Sequence, residues 1–410
     1  MGGQKILYAS GCVGLGHVTR DISIANQLRQ INENVDIVWL ADPPASNYLS
    51  IANEKVLLDM ERVGKGTNDF VNSMVGDYVL NLYPWFSEWY KTFPERVKII
   101  NEVAERENVD LIVGDETYDL YIEYLKHPEK KKRPFLLILD FIGGHLFDGF
   151  KKNHLVLRFF NGWTYKHLKN VYGREGTIFI GLADDVVDEG LGFLILPSRR
   201  EVAKKYAYCV GYSLNFNPDK IGSKPELRKK LGYGPEPLII VTVGGTIAGA
   251  PLLRKAAEAF PFMKKSIPNL RMVLVAGPCV PMDYVKPVEG IEVRGMVPNL
   301  YEHMAASDLV ITAGGGTTTV ELQTLNKPFL YFPLEQHFEQ RTDVAYHLMR
   351  DHVGTRMDYP TTSPEELASA AIKNIGKEAD YPQIPIDGAR KAAEHINSLL
   401  IRIQNGEFKT

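Results

Sequence analysis

The chain opens on a short apolar run, Lys5–Ser10, broken by Gly11, Gly14 and Gly16. Val18, Ile22, Ala25 and Leu28 then recur at helical spacing. The pattern reads strand, glycine-rich turn, helix. Val35–Leu40 and the weaker Lys55–Leu58 follow as strands, and Glu95–Glu107 carries a helical pattern. Leu111-Ile112-Val113 runs into Gly114-Asp115-Glu116, and Pro134–Leu139 ends at Asp140. The same grammar restarts at Pro237–Val243, which closes on Gly244-Gly245-Thr246 ahead of a helical stretch from Pro251 to Phe260. Met272–Ala276 ends in Gly277-Pro278, Asp308–Thr312 in Ala313-Gly314-Gly315-Gly316, and Pro328–Phe332 in Pro333-Leu334.

Short apolar strands alternating with helices predict an α/β fold, with parallel sheets covered by helices on both faces. Two such runs predict two Rossmann-like domains, expected at residues 1–212 and 213–386. The boundary falls in the turn-rich stretch Gly211–Pro218. A last helix, Gly388–Gln404, follows Pro382 and Pro385. Residues 387–410 are expected to return to the first domain. Ligands of open parallel sheets sit beyond the carboxyl ends of the strands. Two domains facing each other would therefore form a cleft on which the strand-end residues converge.

Composition adds exclusions. The 410 residues are 45% hydrophobic and 24% charged, which rules out a disordered or collagenous chain. The net charge of −3 gives no global electrostatic case for nucleic acid, and no nucleic-acid partner is expected. Cys12, Cys209 and Cys279 lie far apart, without a zinc motif or a disulfide framework. This composition predicts a reducing, cytoplasmic setting. The apolar runs fall short of the ~18 residues a spanning helix needs, so any membrane contact is expected to be peripheral.

The strongest chemical signal is Thr312–Glu321, three glycines between a strand and a helix. Glycines let a ligand approach the backbone, and the helix N-terminus offers unpaired N–H groups suited to a diphosphate. Gly315 and Gly316 are candidates for that contact, with hydroxyls from Thr317, Thr318 and Thr319. Glu321, one turn in, could accept two hydrogen bonds from ribose hydroxyls. A plain capped turn has the same outline. Walker A is excluded, because no Gly-Lys-Ser/Thr follows. Gly245 and Thr246 lie in a second glycine turn. Gly14-Leu15-Gly16 begins a GxGxxG pattern that Thr19 fails to close, so a dinucleotide site is disfavoured even though Asp42 follows the second strand. His17 begins a helix, either as a general base or as a structural contact. Asp115 or Glu116 could orient it, or Asp115 could simply cap a helix. Glu339, Gln340 and Asp343 lie in a stretch rich in carboxylates and amides, which suits sugar hydroxyls or a solvated face equally.

Taken together, these residues resemble the nucleotide-sugar glycosyltransferases of the architecture called GT-B. The nearest likenesses are the peptidoglycan N-acetylglucosaminyltransferase and the UDP-glucosyl/glucuronosyl transferases. The resemblance runs from about Leu238 to Tyr346, and more narrowly from Ile6 to Leu28. It implies His17, after Gly14-Leu15-Gly16, as the base that activates the acceptor, with Asp115 or Glu116 in support. It places Gly16, Gly245 and Thr246 near the nucleotide and diphosphate, and gives Val297, in Met296-Val297-Pro298, a backbone contact to uracil. It assigns Gly314–Thr319 to the diphosphate, Glu321 to the ribose, and Glu339, Gln340 and Asp343 to the donor sugar. Ala313 stands where the UDP-glucosyltransferases have a histidine, which leaves phosphate contacts to backbone N–H groups and threonines.

The implied reaction is inverting transfer from a UDP-sugar, N-acetylglucosamine or another hexose, to a hydroxyl of a lipid-linked or membrane-near acceptor. The sugar nucleotide is a co-substrate, and neither cofactor nor metal is implied. Asp184, Asp185 and Asp188 are expected to be surface or capping residues. Tyr83–Tyr90, Lys130–Arg133 and Lys151–Phe160 mix aromatic and basic residues, as an anionic lipid surface would favour, though a buried cluster beside a solvated charge run would look alike. A nucleotide-sugar epimerase of the same fold and a non-catalytic nucleotide-sugar-binding subunit are the alternatives.

Overall fold

The computed structural model describes residues 3–10, 14–73, 75–80, 87–143, 154–169, 173–187, 196–337 and 339–407. Its contacts divide the chain into two units. The first is Met1–Ser73, Leu82–Asn215 and Pro385–Thr410, and the second is Met74–Asn81 and Phe216–Ile384.

The first unit holds a seven-stranded parallel sheet made of β1 (Gln4–Ser10), β2 (Val35–Leu40), β3 (Val56–Leu57), β4 (Leu111–Asp115), β5 (Phe135–Leu139), β6 (Thr177–Ile180) and β7 (Tyr208–Gly211). Their order is 3-2-1-4-5-6-7. The second holds six parallel strands: β8 (Leu238–Thr242), β9 (Arg271–Val275), β10 (Ile291–Arg294), β11 (Leu309–Thr312), β12 (Phe329–Tyr331) and β13 (Thr355–Arg356). The order 10-9-8-11-12-13 is the doubly wound Rossmann arrangement. Both units are therefore Rossmann-like. The central strands β4, β5, β8 and β11 are buried along their whole length, which is why they read as unbroken apolar runs.

Helices α1 (Gly16–Ile31), α2 (Phe93–Arg106), α3 (Tyr118–Lys126), α4 (Ala250–Ser266), α5 (Gly316–Thr324) and α6 (Gly388–Gln404) position the candidate residues. The chain's last helix, α6, lies on the first unit. Its Ala392, Ala393, Ile396 and Leu400 join the core with Ile24, Ala25 and Leu28 of α1. Small alanines there let the two helices approach closely. Gly388 sits where a Cβ would meet the carbonyl oxygens of Tyr212 and Gly211 at 2.6 and 2.7 Å, so only glycine fits that entry. Among the described residues, no helix is long and apolar enough to cross a membrane.

Register fixes where the strand ends lie. Ser10 pairs with Asp115, and Asp115 with Ile138, so the carboxyl ends of β1, β4 and β5 share one edge. In the second unit Thr242 pairs with both Val275 and Thr312, and Thr312 with Tyr331. The turns at 243–249, 276–278, 313–316 and 332–335 consequently start from one edge of that sheet.

Candidate active site

In the first unit, α1 begins two residues after the positive-φ Gly14. Its Val18, Ile24, Ala25 and Leu28 enter the core. His17 and Arg20, three residues apart, share another face. Arg20 organises the group. Its Nε and Nη2 donate to Asp115 Oδ2 and Oδ1 at 2.9 and 2.5 Å, a two-pronged pair, and Nη1 donates to Asp140 at 2.6 Å. Arg20 Nη2 also lies 2.8 Å from His17 Nδ1, while Asp115 Oδ2 is 3.4 Å from that same nitrogen. A guanidinium can only donate. In this arrangement, therefore, Nδ1 accepts from Arg20 and the imidazole proton resides on Nε2. Asp115 lies beside His17, but its main partner is Arg20.

The acids around Arg20 divide by charge. Burial alone would raise the Asp115 carboxyl, but Arg20 and His17 pull it down to about 2. Asp140 is likewise held far below the usual range, with Arg20 overcoming burial. Glu116 is pushed well up by burial and by the neighbouring Asp140. Asp21 is pushed up by burial and by Asp115, while accepting from Tyr8 at 2.9 Å and Ser10 at 2.5 Å. Arg20 thus holds two of these carboxyls in their charged form, while burial and like charge favour the protonated form of the other two. Glu116 has a left-handed backbone, φ 49°, a strained conformation for a side chain of this size. Its N–H donates to Ile138 O at 3.0 Å, which holds the turn against β5.

Asp42, the other acid at a strand end, is engaged by side chains of its own unit. Arg96 Nη1, Thr67 N and Thr67 Oγ1 all donate to its Oδ2 at 3.0 Å, and Arg96 Nε reaches Asp119 at 2.8 Å. Asp42 thus ties the end of β2 to Thr67 and to Arg96 of α2, which in turn holds Asp119 of α3. Gly11, Cys12 and Val13 lie outside the described residues.

In the second unit the strand-end turns pack backbone to backbone. A Cβ on Gly277 would stand 2.5 Å from Gly244 O, and one on Gly249 would stand 3.4 Å from Ala313 Cβ. A Cβ on Gly315 would meet nothing within 4 Å. The backbone ahead of α5 is therefore open on the side a ligand would use, and no side chain caps the helix. Gly316 lies beside Glu339, whose Oε1 would be 3.8 Å from an added Cβ. Thr317 and Thr318 are half-buried. Thr319 differs from expectation. It is fully buried, and its hydroxyl donates back to Gly316 O at 2.9 Å, so its proton stays within the helix.

Glu321 is 7% exposed, and among the described residues its carboxyl has no hydrogen-bond or ion-pair partner. Burial pushes it up to about 8. A lone buried acid one turn into a helix with an open N-terminus marks a place where a ligand's hydroxyls would supply the missing bonds. Thr246 is buried at the head of the 247–249 turn, beside the half-buried Gly245. Val297 turns its side chain onto the core, which leaves its backbone for any contact. Glu339–Val344, containing Gln340 and Asp343, forms a π-helical turn, a geometry frequent at functional sites. Gln340 Oε1 accepts from Leu334 N at 2.9 Å.

Arg20 is the main residue missed in the sequence. Its signal was an arginine one helical turn after His17, facing acids at two strand ends. The acceptor-side candidates are less unified. Trp89 is buried against Phe93 and Lys126 covers Tyr90 at 4.4 Å, while residues 81–86 lie outside the described set. Lys130 is paired with Glu123 at 2.7 Å. Lys151 and Lys152 are also outside it, as are the side chains of 154–157, 159 and 160. Asp184 is exposed and pairs with Lys204 at 2.7 Å, Asp185 accepts from Tyr212 at 2.6 Å, and Asp188 is not among the described residues.

Residues 238–399 match the glycosyltransferase family 28 C-terminal domain. An uncharacterized glycosyltransferase of Methanosarcina mazei is 33% identical over 146 residues, 35% of this chain and 37% of that protein. The matches to the first such relatives cover less than half of those proteins' length. The UDP-N-acetylglucosamine–N-acetylmuramyl-(pentapeptide) pyrophosphoryl-undecaprenol N-acetylglucosamine transferase of Carboxydothermus hydrogenoformans is 28% identical over 174 residues, 38% of this chain and 46% of the relative. The solved structure of the calicheamicin glycosyltransferase superposes with a TM-score of 0.56 at 15% identity, covering 99% of this chain and 96% of that one. The chain thus has the GT-B fold and resembles a glycosyltransferase family over residues 238–399.

Proposed function

We propose that the protein is an inverting, metal-independent glycosyltransferase that moves N-acetylglucosamine or another hexose from a UDP-sugar to a hydroxyl of a lipid-linked or membrane-near acceptor. The observation that carries this reading is the open Gly314–Thr318 turn at the head of α5, with the partnerless Glu321 buried one turn below it. The diphosphate sits on the N–H groups of Gly315, Gly316 and Thr317, where the helix dipole offsets the charge that builds on the leaving group. Thr317 and Thr318 add hydroxyls, and Glu321 takes the ribose hydroxyls. Gly245, Thr246 and the Val297 backbone hold the nucleotide. Glu339, Gln340 and Asp343 hold the sugar.

The bond from the anomeric carbon to the diphosphate breaks as the acceptor oxygen attacks from the opposite face. The acceptor's proton goes to His17 Nε2. That step needs the other imidazole proton on Nδ1, facing Asp115, so Arg20 must first release Nδ1 while keeping its bond to Asp140. The negative charge left on Asp115 and Asp140 then balances the imidazolium. The work falls on the cytoplasmic side, with peripheral contact to the membrane that carries the acceptor. The name of the Carboxydothermus relative, which includes a pyrophosphoryl-undecaprenol acceptor, supports the lipid-linked choice.

A second reading, a nucleotide-sugar epimerase, is favoured by the number of titratable groups gathered around Arg20, since that chemistry needs several proton donors and acceptors. A thermal-shift panel of UDP-, GDP- and TDP-sugars, followed by UDP release with and without lipid acceptor, separates the two. Stabilisation by UDP-sugars with acceptor-dependent release is expected. Acceptor-independent release of UDP moves the reading to the epimerase, and absence of stabilisation by every nucleotide sugar removes the donor site.

A further inference from the structure

The second unit contains one piece of chain from far upstream, Met74–Asn81, and its central residue is unusual. Val75 and Leu80 pair antiparallel, making a small hairpin with Tyr78 near its tip. Tyr78 is fully buried and left-handed, φ 59°, which is strained for an aromatic residue. Its ring stacks on Tyr359 with centroids 4.0 Å apart, and its hydroxyl donates to Phe332 O. The hairpin also grips the next loop by its backbone. Glu335 N donates to Tyr78 O at 3.1 Å, and Leu80 N donates to Glu335 O at 3.0 Å. Gln336, the following residue, is left-handed as well, φ 61°. Two strained residues on facing segments persist only where their surroundings over-determine them.

The gripped loop leads directly into the Glu339–Val344 turn. Arg341 pairs with Glu335, and Gln340 Oε1 accepts from Leu334 N. The loop at 332–335 is therefore braced on one side by the hairpin and on the other by the turn proposed to hold the donor sugar. We infer that Tyr78 is a positioning residue for the sugar end of the donor site, acting through Phe332–Glu335 on Glu339, Gln340 and Asp343. The inference rests on the donor-site reading above. It adds that a segment from the first half of the sequence sets how tightly the sugar, rather than the nucleotide, is held.

The test is calorimetric titration of the full chain with UDP, UDP-N-acetylglucosamine and UDP-glucose, comparing wild type with Tyr78→Phe and Tyr359→Leu. Tyr78→Phe keeps the ring and its stack and removes only the bond to Phe332 O. Tyr359→Leu removes the stack and leaves Tyr78 intact. Tyr78→Phe should weaken the preferred UDP-sugar about three- to tenfold, the fold-change one lost hydrogen bond gives, and Tyr359→Leu should weaken it in the same direction through the lost stack, both with UDP affinity unchanged. In turnover the loss should appear in KM for the donor more than in kcat. Equal weakening of UDP and UDP-sugar, or no change in either, overturns the positioning role. A wild-type chain that binds neither UDP nor a UDP-sugar removes the donor-site reading, and this inference with it.

Discussion

Glu321→Gln gives a stability test that does not depend on knowing the substrate. The carboxyl is buried without a partner and sits at about 8 in the folded chain, against about 4.3 for an unfolded glutamate. A folded value raised above the unfolded one means that the folded state holds the proton more tightly. The stabilisation is fully present below pH ~4 and is lost as pH rises toward 8. The slope is about 1.4 kcal/mol per pH unit. Between pH 5 and 7 the ligand-free protein therefore loses about 2.7 kcal/mol through this residue alone. Glutamine mimics the protonated form and does not titrate. Urea unfolding of both proteins from pH 4.5 to 8.5 should show near-equal stability at the acid end. The variant should then gain steadily with pH, toward a plateau near pH 8. A difference that stays flat across that range refutes the claim that Glu321 is held neutral by burial. Above pH 8, where the carboxyl ionises, the same variant should bind UDP-sugar worse, because an amide cannot accept two ribose bonds with the strength of a carboxylate.

Further outcomes follow from the same geometry. Gly315→Ala should leave unfolding unchanged, because the added methyl meets no atom within 4 Å, while weakening UDP-sugar binding in titration; unchanged binding would mark the turn as purely structural. Arg20→Ala leaves Asp115 and Asp140 without their shared cation and should destabilise the chain by about 3–5 kcal/mol in urea, and an effect under 1 kcal/mol would contradict the described network. As pH falls from about 5 toward 2, Asp115 contributes a loss of stability, because its folded value of about 2 lies below the unfolded one. An Asp115→Asn chain should lack that part of the acid transition. His17→Ala should reduce kcat about 10²- to 10⁴-fold, the usual worth of general-base catalysis, with UDP-sugar affinity intact.

Much of the architecture was written in local pattern. Runs such as Leu238–Thr242 and Leu111–Asp115 are buried on both faces and so appear as continuous apolar segments. Edge strands β3, β10 and β13 are short or half-exposed and leave little periodic trace. The Gly314–Glu321 turn was visible because a turn that exposes backbone needs glycine, and glycine runs stand out. Three things were hidden. Arg20 looks like an ordinary helix arginine until β4 and β5 bring Asp115 and Asp140 to it. The upward shift of Glu116 comes first from burial and then from Asp140, neither of which shows in the residues around it in sequence. Tyr78 meets Phe332 across more than half the chain, and a single aromatic in a loop carries no sign of such a partner. Asp42, by contrast, carried a misleading sign: its place after β2 suits a ribose, while its oxygen is occupied by Arg96 and Thr67.

The most direct measurement is UDP release from UDP-N-acetylglucosamine by wild-type and His17→Ala protein, with and without a polyprenyl-diphosphate-linked sugar, reading product anomeric configuration by NMR. The account predicts release that depends on acceptor, inverts the anomeric centre and collapses in the variant. Release that ignores the acceptor, retains configuration or survives loss of His17 would contradict it.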